Sequence, residues 1–456
     1  MYQRNPQTGQ LSIAKNLLTW TLLLIPLSLT VGSLVAFFLW LLDVATRTRW
    51  AHEWLLYLLP VAGVAIYWLY KLWGKNSEQG NNLVMDEIHQ PGGGVPLRMT
   101  PLVLFTTIIT HLFGGSAGRE GTAVQMGGSI AGLFGKWYKL SPERLKILLM
   151  AGIAAGFGAV FGTPVAGAIF ALEVLTIGTI RYEALLPCFI ASFLAHLTTS
   201  AWGIHHTQYH ITSVLTADTF LSLPINIKVL LQAIMAGAAF GLAAYLFSEL
   251  THTIKNTAKK IIPIEWLIPV AGGALIIALT FMLGTTDYLG IGVTGKDVYS
   301  VSIVNSFHTG NTTYWSWFWK LLFTAITLGT GFKGGEVTPL FFIGATLGNT
   351  IAFRCGAPVD LFAAMGFIAV FAGATNTPLA CTIMGVELFG GEYTLYFAVA
   401  CFTAYYFSGH TGIYHSQRIA VNKHGTPGNE GTSLKEIRNS RIERNMQLLK
   451  KWMGRK

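Results

Sequence analysis

The chain has 456 residues, of which 52% are hydrophobic and only 11% charged, and its mean hydropathy is +0.50. So little charge excludes a soluble domain of this size and leaves a polytopic membrane protein embedded in a lipid bilayer. The net charge is +10, and residues 418–456 carry most of it, with ten Lys or Arg against three Glu. Positive-inside topology accounts for that excess, so nucleic acid is set aside as a partner.

Taken in order, apolar runs lie at 17–42, 53–73, 102–113, 121–135, 147–172, 184–201, 228–248, 263–283, 316–329, 337–353, 361–375, 378–389 and 394–407. The first run is too long for a cleavable signal and is followed by Asp43 and Arg47. Several of the others are shorter than the roughly 20 residues a span needs. Short runs interrupted by Gly or Pro predict broken and re-entrant helices. The 50 glycines, many inside apolar runs, fit close helix packing. The basic stretch Lys136–Lys146 is expected to face the cytoplasm, and so is the tail. Ser433–Trp452 reads as a short amphipathic helix on the membrane surface. Cys188, Cys355, Cys381 and Cys401 show no paired or metal-ligand spacing and read as reduced core residues. His205, His206 and His210 lie between apolar runs with no Cys or carboxylate beside them. They read as a solvated loop, not a metal site.

Gly114–Gly128, GGSAGREGTAVQMGG, is the break around which the chain is organised. It sets Arg119 and Glu120 side by side between apolar runs. Charge at membrane depth is costly, so it is read as functional. Glycines let the backbone leave the helix, which survives in a membrane where it lines a cavity. A helix is expected to start near Gly121, and a helix N-terminus with free N–H groups attracts anions. Glu120 is then a tethered anion in that site, and a free anion competes with it.

The two halves repeat. Gly118–Gly132 superposes on Gly334–Gly348 with Glu120 on Glu336 and Thr122 on Thr338. Thr163–Val174 superposes on Thr377–Leu388 with Glu173 on Glu387. Matched helix breaks in two halves indicate a transporter with its site at the repeat interface. The runs alone leave open whether the repeat is parallel or inverted. The expected segments are a cytoplasmic 1–16, a first half over 17–225, a second half over 226–416 and a basic cytoplasmic tail over 417–456.

These residues carry a resemblance. Gly118-Arg119-Glu120-Gly121-Thr122 is similar to GREGP, Gly335-Glu336-Val337-Thr338-Pro339 to GxFxP, and Gly80-Asn81-Asn82-Leu83-Val84 to GSGIP. Over about residues 15–415 the chain resembles the CLC family of chloride channels and proton-coupled anion exchangers. The resemblance implies an all-α fold with an inverted repeat, a homodimer and one anion pathway per subunit. No cofactor and no metal are expected. Tyr414 matches the family's central-site tyrosine. Asn81 is read as replacing the Ser of GSGIP, Thr122 the Pro of GREGP and Thr338 the Phe of GxFxP. That set resembles the fluoride-exporting bacterial branch, which places the chain in a bacterial inner membrane. The proton-relay glutamate of the chloride exchangers falls at Val174, with Glu173 beside it.

The expected function is fluoride/proton antiport, with a chloride/proton exchanger or a passive channel as the alternative. Fluoride is strongly hydrated, so its site must replace water with donors. Asn81 offers an amide, Thr338 a hydroxyl, Tyr414 a phenol, and Val337 and Thr338 their backbone N–H groups. Arg119 and Gly121 complete the anion-binding set, and Glu120 is gate and proton carrier. Structural readings stand beside these. Glu120 can be a buried acid paired with Arg119, Asn81 a helix cap, Thr338 a donor to a helix carbonyl and Tyr414 an interfacial residue. Glu173 and Glu387, being equivalent, point to a shared structural role. The GxxxG spacings at Gly128, Gly152, Gly237 and Gly344 read as packing seams. Two enzyme readings fail. Ser116 matches GxSxG but lacks the strand–turn–helix context of a hydrolase, and no GK[ST] lysine makes a phosphate loop.

Overall fold

The computed structural model describes residues 9–215, 225–423, 425 and 430–453. Residues 1–8, part of the expected cytoplasmic segment, lie outside the described residues. The first half runs α1 (Gln10–Ala51), α2 (Leu59–Leu69), α3 (Asn81–His89), α4 (Met99–Leu112), α5 (Glu120–Trp137), α6 (Pro142–Phe161), α7 (Pro164–Glu173) and α8 (Leu185–Ala201). The second runs α9 (Ile227–Ile261), α10 (Leu267–Leu283), α11 (Ser316–Gly329), α12 (Val337–Cys355), α13 (Val359–Thr375), α14 (Pro378–Phe389) and α15 (Thr394–Phe407). The tail forms α16 (Leu434–Met453). The described strands are β1 (Thr176–Ile177) and β2 (Arg418–Ile419), paired in parallel.

The helices pack in equivalent pairs. α5 lies on α6 as α12 lies on α13, α6 on α7 and α8 as α13 on α14 and α15, and α7 meets α14 between the halves. The seams are glycine. A Cβ on Gly127 would run into the carbonyl oxygen of Gly152, and one on Gly344 into that of Gly366. Gly237 and Gly241 of α9 sit in the same way on α15, against Thr403 and Ala404. Small residues let backbones touch where no hydrophobic force separates helix from lipid. The GxxxG stretches are therefore internal seams.

Two reciprocal caps tie the halves together. The Glu387 carboxylate accepts from Val165 N at 3.0 Å and Ala166 N at 2.8 Å, at the start of α7. The Glu173 carboxylate accepts from Leu379 N at 3.1 Å and Ala380 N at 2.8 Å, at the start of α14. Each covers orphan donors and the positive end of the other half's helix. That exchange relates the two halves by an approximate two-fold, and it gives both glutamates the shared structural role.

Five described helical stretches are long and apolar enough to cross a membrane, and five shorter apolar helices accompany them. The shorter ones run 10–17 residues, less than the roughly 20 a span needs. The basic turn after α5 and the tail lie at one end. Lys136 reaches Gly94 just beyond α3, His89 of α3 lies 3.1 Å from the Leu175 carbonyl beside β1, and β1 pairs with β2. From that end α6 runs roughly 30 Å, at about 1.5 Å per residue, to Gly162. The Gly162 turn packs on His206 at the opposite end.

One expectation needs correction and one is sharpened. α16 forms, and its start is docked on the protein. Leu434 packs on Ile177 and Ile419, and Arg438 and Arg441 pair with Glu249 of α9. Cys355 is exposed at the end of α12, so it is not a core residue, whereas Cys188, Cys381 and Cys401 are buried thiols.

Candidate functional site

α5 begins at Glu120 and α12 at Val337, and the turns before them meet. Gly118 N donates to Gly335 O at 2.6 Å, and Gly335 N to Gly118 O at 2.7 Å, in an antiparallel bridge. The bridge needs small residues, because a Cβ on Gly118 would stand 2.9 Å from Pro339 Cδ. The result is two helix N-termini aimed at one point from the two halves. Oriented N–H dipoles at such a point favour negative charge.

The negative charge there is Glu120, whose side chain is 1% exposed. Thr338 N donates to its Oε2 at 3.0 Å, and the Thr338 hydroxyl lies 2.6 Å from both oxygens. Arg119 N donates to Oε2 at 3.1 Å, and Arg119 Nε lies 3.4 Å from Oε1. The ion pair with Arg119 and the anion seat are therefore one arrangement. Thr338 turns its hydroxyl on the carboxylate rather than on a helix carbonyl. Among the described residues Val337 N–H makes no bond to Glu120, so the α12 start acts through Thr338.

The register of the α12 turn corrects one reading. Counted from Gly335, Val337 takes the Phe position of GxFxP, and Thr338 fills the variable position before Pro339. Thr338 is thus an added hydroxyl, not the substitute for an aromatic ring. Thr122 points away from the carboxylate, its Oγ1 2.9 Å from Thr107 Oγ1 on α4. Its place is at the start of α5.

Asn81 is the first residue of α3 and makes no capping bond. Its Nδ2 stands 3.1 Å from where a Cβ on Gly121 would be, so Gly121 leaves the room in which the amide sits. Its Oδ1 is buried without a hydrogen-bond partner among the described residues. Tyr414 is 3% exposed, which removes the interfacial reading, and it lies within electrostatic range of Glu336 and Glu120. Its loop is fixed by Ile413 N to Ala374 O at 3.0 Å and Ser416 N to Asn82 Oδ1 at 3.0 Å. Thus α3, α5, α12 and the loop after α15 bring Asn81, Arg119, Glu120, Gly121, Thr338 and Tyr414 into one region.

Val174, expected from the resemblance at the relay-glutamate position, is buried, and Gln417 Nε2 donates to its carbonyl at 2.8 Å. Glu173 turns to α14 instead. Ser116 Oγ lies 2.9 Å from Thr324 Oγ1, a buried hydroxyl pair and not a nucleophile with its base. No group of three His, Cys, Asp or Glu among the described residues is placed to hold a metal. His111 is a neighbour that the sequence reading passes over. It is buried, with Nε2 3.4 Å from the Gly118 carbonyl. A lone His at the end of an apolar run just before the glycine break is its one signal.

The chain is similar to known proteins over most of its length. Residues 62–409 match the family model described as voltage gated chloride channel. A "Chloride/fluoride channel protein" of Pseudomonas syringae pv. tomato (strain ATCC BAA-871 / DC3000) is 46% identical over 441 residues, 95% of this chain and 94% of that protein. The crystal structure of a CLC-type fluoride/proton antiporter superposes with a TM-score of 0.82 at 34% identity, covering 91% of this chain and 100% of that one. A slow cyanobacterial Cl-/H+ antiporter shares the fold, with a TM-score of 0.71 at 18% identity over 85% of this chain and 94% of that one. With a family match over most of its length and a relative 46% identical along 95% of it, the chain belongs to the CLC family of anion channels and transporters.

Proposed function

We propose that this chain is a fluoride/proton antiporter that uses the proton gradient to export fluoride across a bacterial inner membrane. The observation that carries the reading is the pair of donors from Thr338, hydroxyl and N–H, on the Glu120 carboxylate. Fluoride is a compact acceptor, and a site for it must replace its water with such donors. Asn81 and Tyr414 add an amide and a phenol in the same region.

Exchange follows from the acid. As a carboxylate, Glu120 fills the seat and accepts the donors. Protonation removes its charge, weakens those bonds and frees the seat for fluoride. When the proton leaves to the other side, the carboxylate returns and displaces the ion. One side chain then moves protons one way and anions the other, without the relay that Val174 lacks. The names of the Pseudomonas relative and of the crystallised antiporter support the anion, and each is said of that protein alone.

Homodimer assembly belongs to the same reading. Phe189, Phe193 and Leu197 of α8 and Leu395, Phe402 and Tyr406 of α15 expose apolar surface suited to lipid or a second copy. The test is flux from liposomes. The reading expects fluoride efflux to drive proton uptake and chloride to move far more slowly. Fluoride efflux without proton movement would make the protein a passive channel. Equal chloride-driven proton uptake would make it a chloride exchanger.

A further inference from the structure

At the end of the molecule opposite the basic tail, the chain opens into a cavity of about 740 Å³. Its wall carries four cations, Arg47, Arg49, Arg119 and Lys296, against two carboxylates, Asp43 and Asp287. Three of the cations are paired. Arg47 lies 2.9 Å from Asp43, Lys296 2.5 Å from Glu53 and Arg119 3.4 Å from Glu120. The Asp287 carboxylate accepts from Val301 N at 3.1 Å.

Arg49 is the exception. It is 8% exposed, its Nε has no hydrogen-bond partner, and it forms no ion pair among the described residues; Glu53 acts on it only at longer range, from its pair with Lys296. Two glycine turns enclose it. Its Cδ lies 3.8 Å from where a Cβ on Gly114 would stand, and its Nη2 3.1 Å from one on Gly290. The turn at Gly290 makes no hydrogen bond to it among the described residues; the Gly290 carbonyl accepts from Lys320 Nζ at 2.7 Å and Tyr288 O from the same Nζ at 3.2 Å. A buried guanidinium with an unmet donor is costly unless an anion offsets its charge. Arg49 is also part of the cavity wall.

We propose that Arg49 holds a small monovalent anion in this vestibule, at a waiting site outward of Glu120 and distinct from it. Arg119 joins the two, since it lines the vestibule and also bonds Glu120. An anion leaving the seat passes Arg119 and pauses at Arg49, and one entering does the reverse. The occupant comes from one of two sources, the transported fluoride or a halide of the outer solution. The site does not depend on which anion the protein transports.

Two experiments test it. Wild-type crystals soaked in bromide should show an anomalous peak at hydrogen-bond distance from Arg49. Added fluoride that removes the peak identifies fluoride as the occupant, and a peak that persists identifies the outer halide. No peak, or one beside Thr338 alone, overturns the proposal. In liposomes, Arg49→Gln should raise the half-saturating fluoride concentration on the vestibule side roughly tenfold, with a maximal rate within about twofold of wild type. Arg49→Lys should recover part of the loss. Unchanged half-saturation in a folded Arg49→Gln protein overturns the site, and the crystals decide it if that variant does not fold.

Discussion

The hydroxyl of Thr338, in the second half of the chain, lies 2.6 Å from both carboxylate oxygens of Glu120, in the first half. With one hydrogen to give, it donates to one oxygen at a time, and the Thr338 N–H holds Oε2 at 3.0 Å. The contact joins the two helix starts that the repeat makes equivalent. In the proposed exchange it also defines what an anion must find when Glu120 leaves.

Thr338→Val keeps the branched shape and removes the hydroxyl. A hydrogen bond to a charged partner is worth roughly 1.5–3 kcal/mol, so fluoride should bind about ten- to a hundredfold more weakly. Thr338→Ser should stay near wild type. Half-saturation of fluoride efflux measures both. Equal values for the Val and Ser variants would remove the hydroxyl from the account.

Asn81 concerns selectivity. Its amide sits against Gly121 at the start of α5. Asn81→Ser shortens the side chain and withdraws those donors. Fluoride loses more hydration than chloride on entry, so the ratio of fluoride to chloride efflux should fall, by roughly tenfold for one lost bond. An unchanged ratio in an active variant would place selectivity elsewhere.

Glu173 and Glu387 test the structural reading of the caps. Each carboxylate holds two backbone N–H groups of the opposite half. Glu173→Ala or Glu387→Ala should each destabilise the protein by about 1–3 kcal/mol, read as a lower Tm in detergent. Proton-to-fluoride coupling should survive in the folded fraction. Loss of coupling in a stable Glu173→Gln protein would instead make Glu173 a proton carrier.

The glycine break and its repeat were readable because both violate the apolar pattern around them. Glu120, Arg119 and Thr338 stand in those breaks, so their meeting followed from two helix starts at one interface. Other features had no such mark. Arg49 ends a long apolar helix, where an arginine reads as an interfacial residue, and its burial comes from Gly114 and Gly290, far along the chain. Lys320 follows Trp-Phe-Trp and reads the same way, yet its Nζ is taken by two carbonyls. The docking of α16 depends on Glu249, which the tail's own charge pattern does not reveal.

The tail offers a pH test. Ser433 N donates to Glu436 Oε2 at 2.7 Å, and Glu436 N to Ser433 Oγ at 3.3 Å, a reciprocal cap at the start of α16. The Ser433 donors hold the Glu436 carboxyl below its usual range. A depressed folded pKa means the cap is present near neutral pH and is lost as pH falls through that value. Hydrogen exchange in the first turn of α16, corrected for the intrinsic rate, should speed up in acid. Ser433→Ala should abolish that dependence.

Sidedness is tested by labelling. The loop Lys136–Lys146 and the tail lie at one end, opposite the vestibule. Cysteines placed at Ser141 and Ser433 should resist an impermeant thiol reagent applied to intact cells, while one at Thr207 should react. Labelling at Ser141 or Ser433 from outside would reverse the orientation and with it the direction of export.

The most direct measurement is proton movement in proteoliposomes under an outward fluoride gradient, wild type against Glu120→Gln. The variant keeps the size of the side chain and removes the group that both fills the seat and takes the proton. Wild-type protein should take up protons as fluoride leaves, and the Glu120→Gln protein should show no proton uptake. Proton uptake at the wild-type rate in that variant would contradict the claim that Glu120 is the proton carrier.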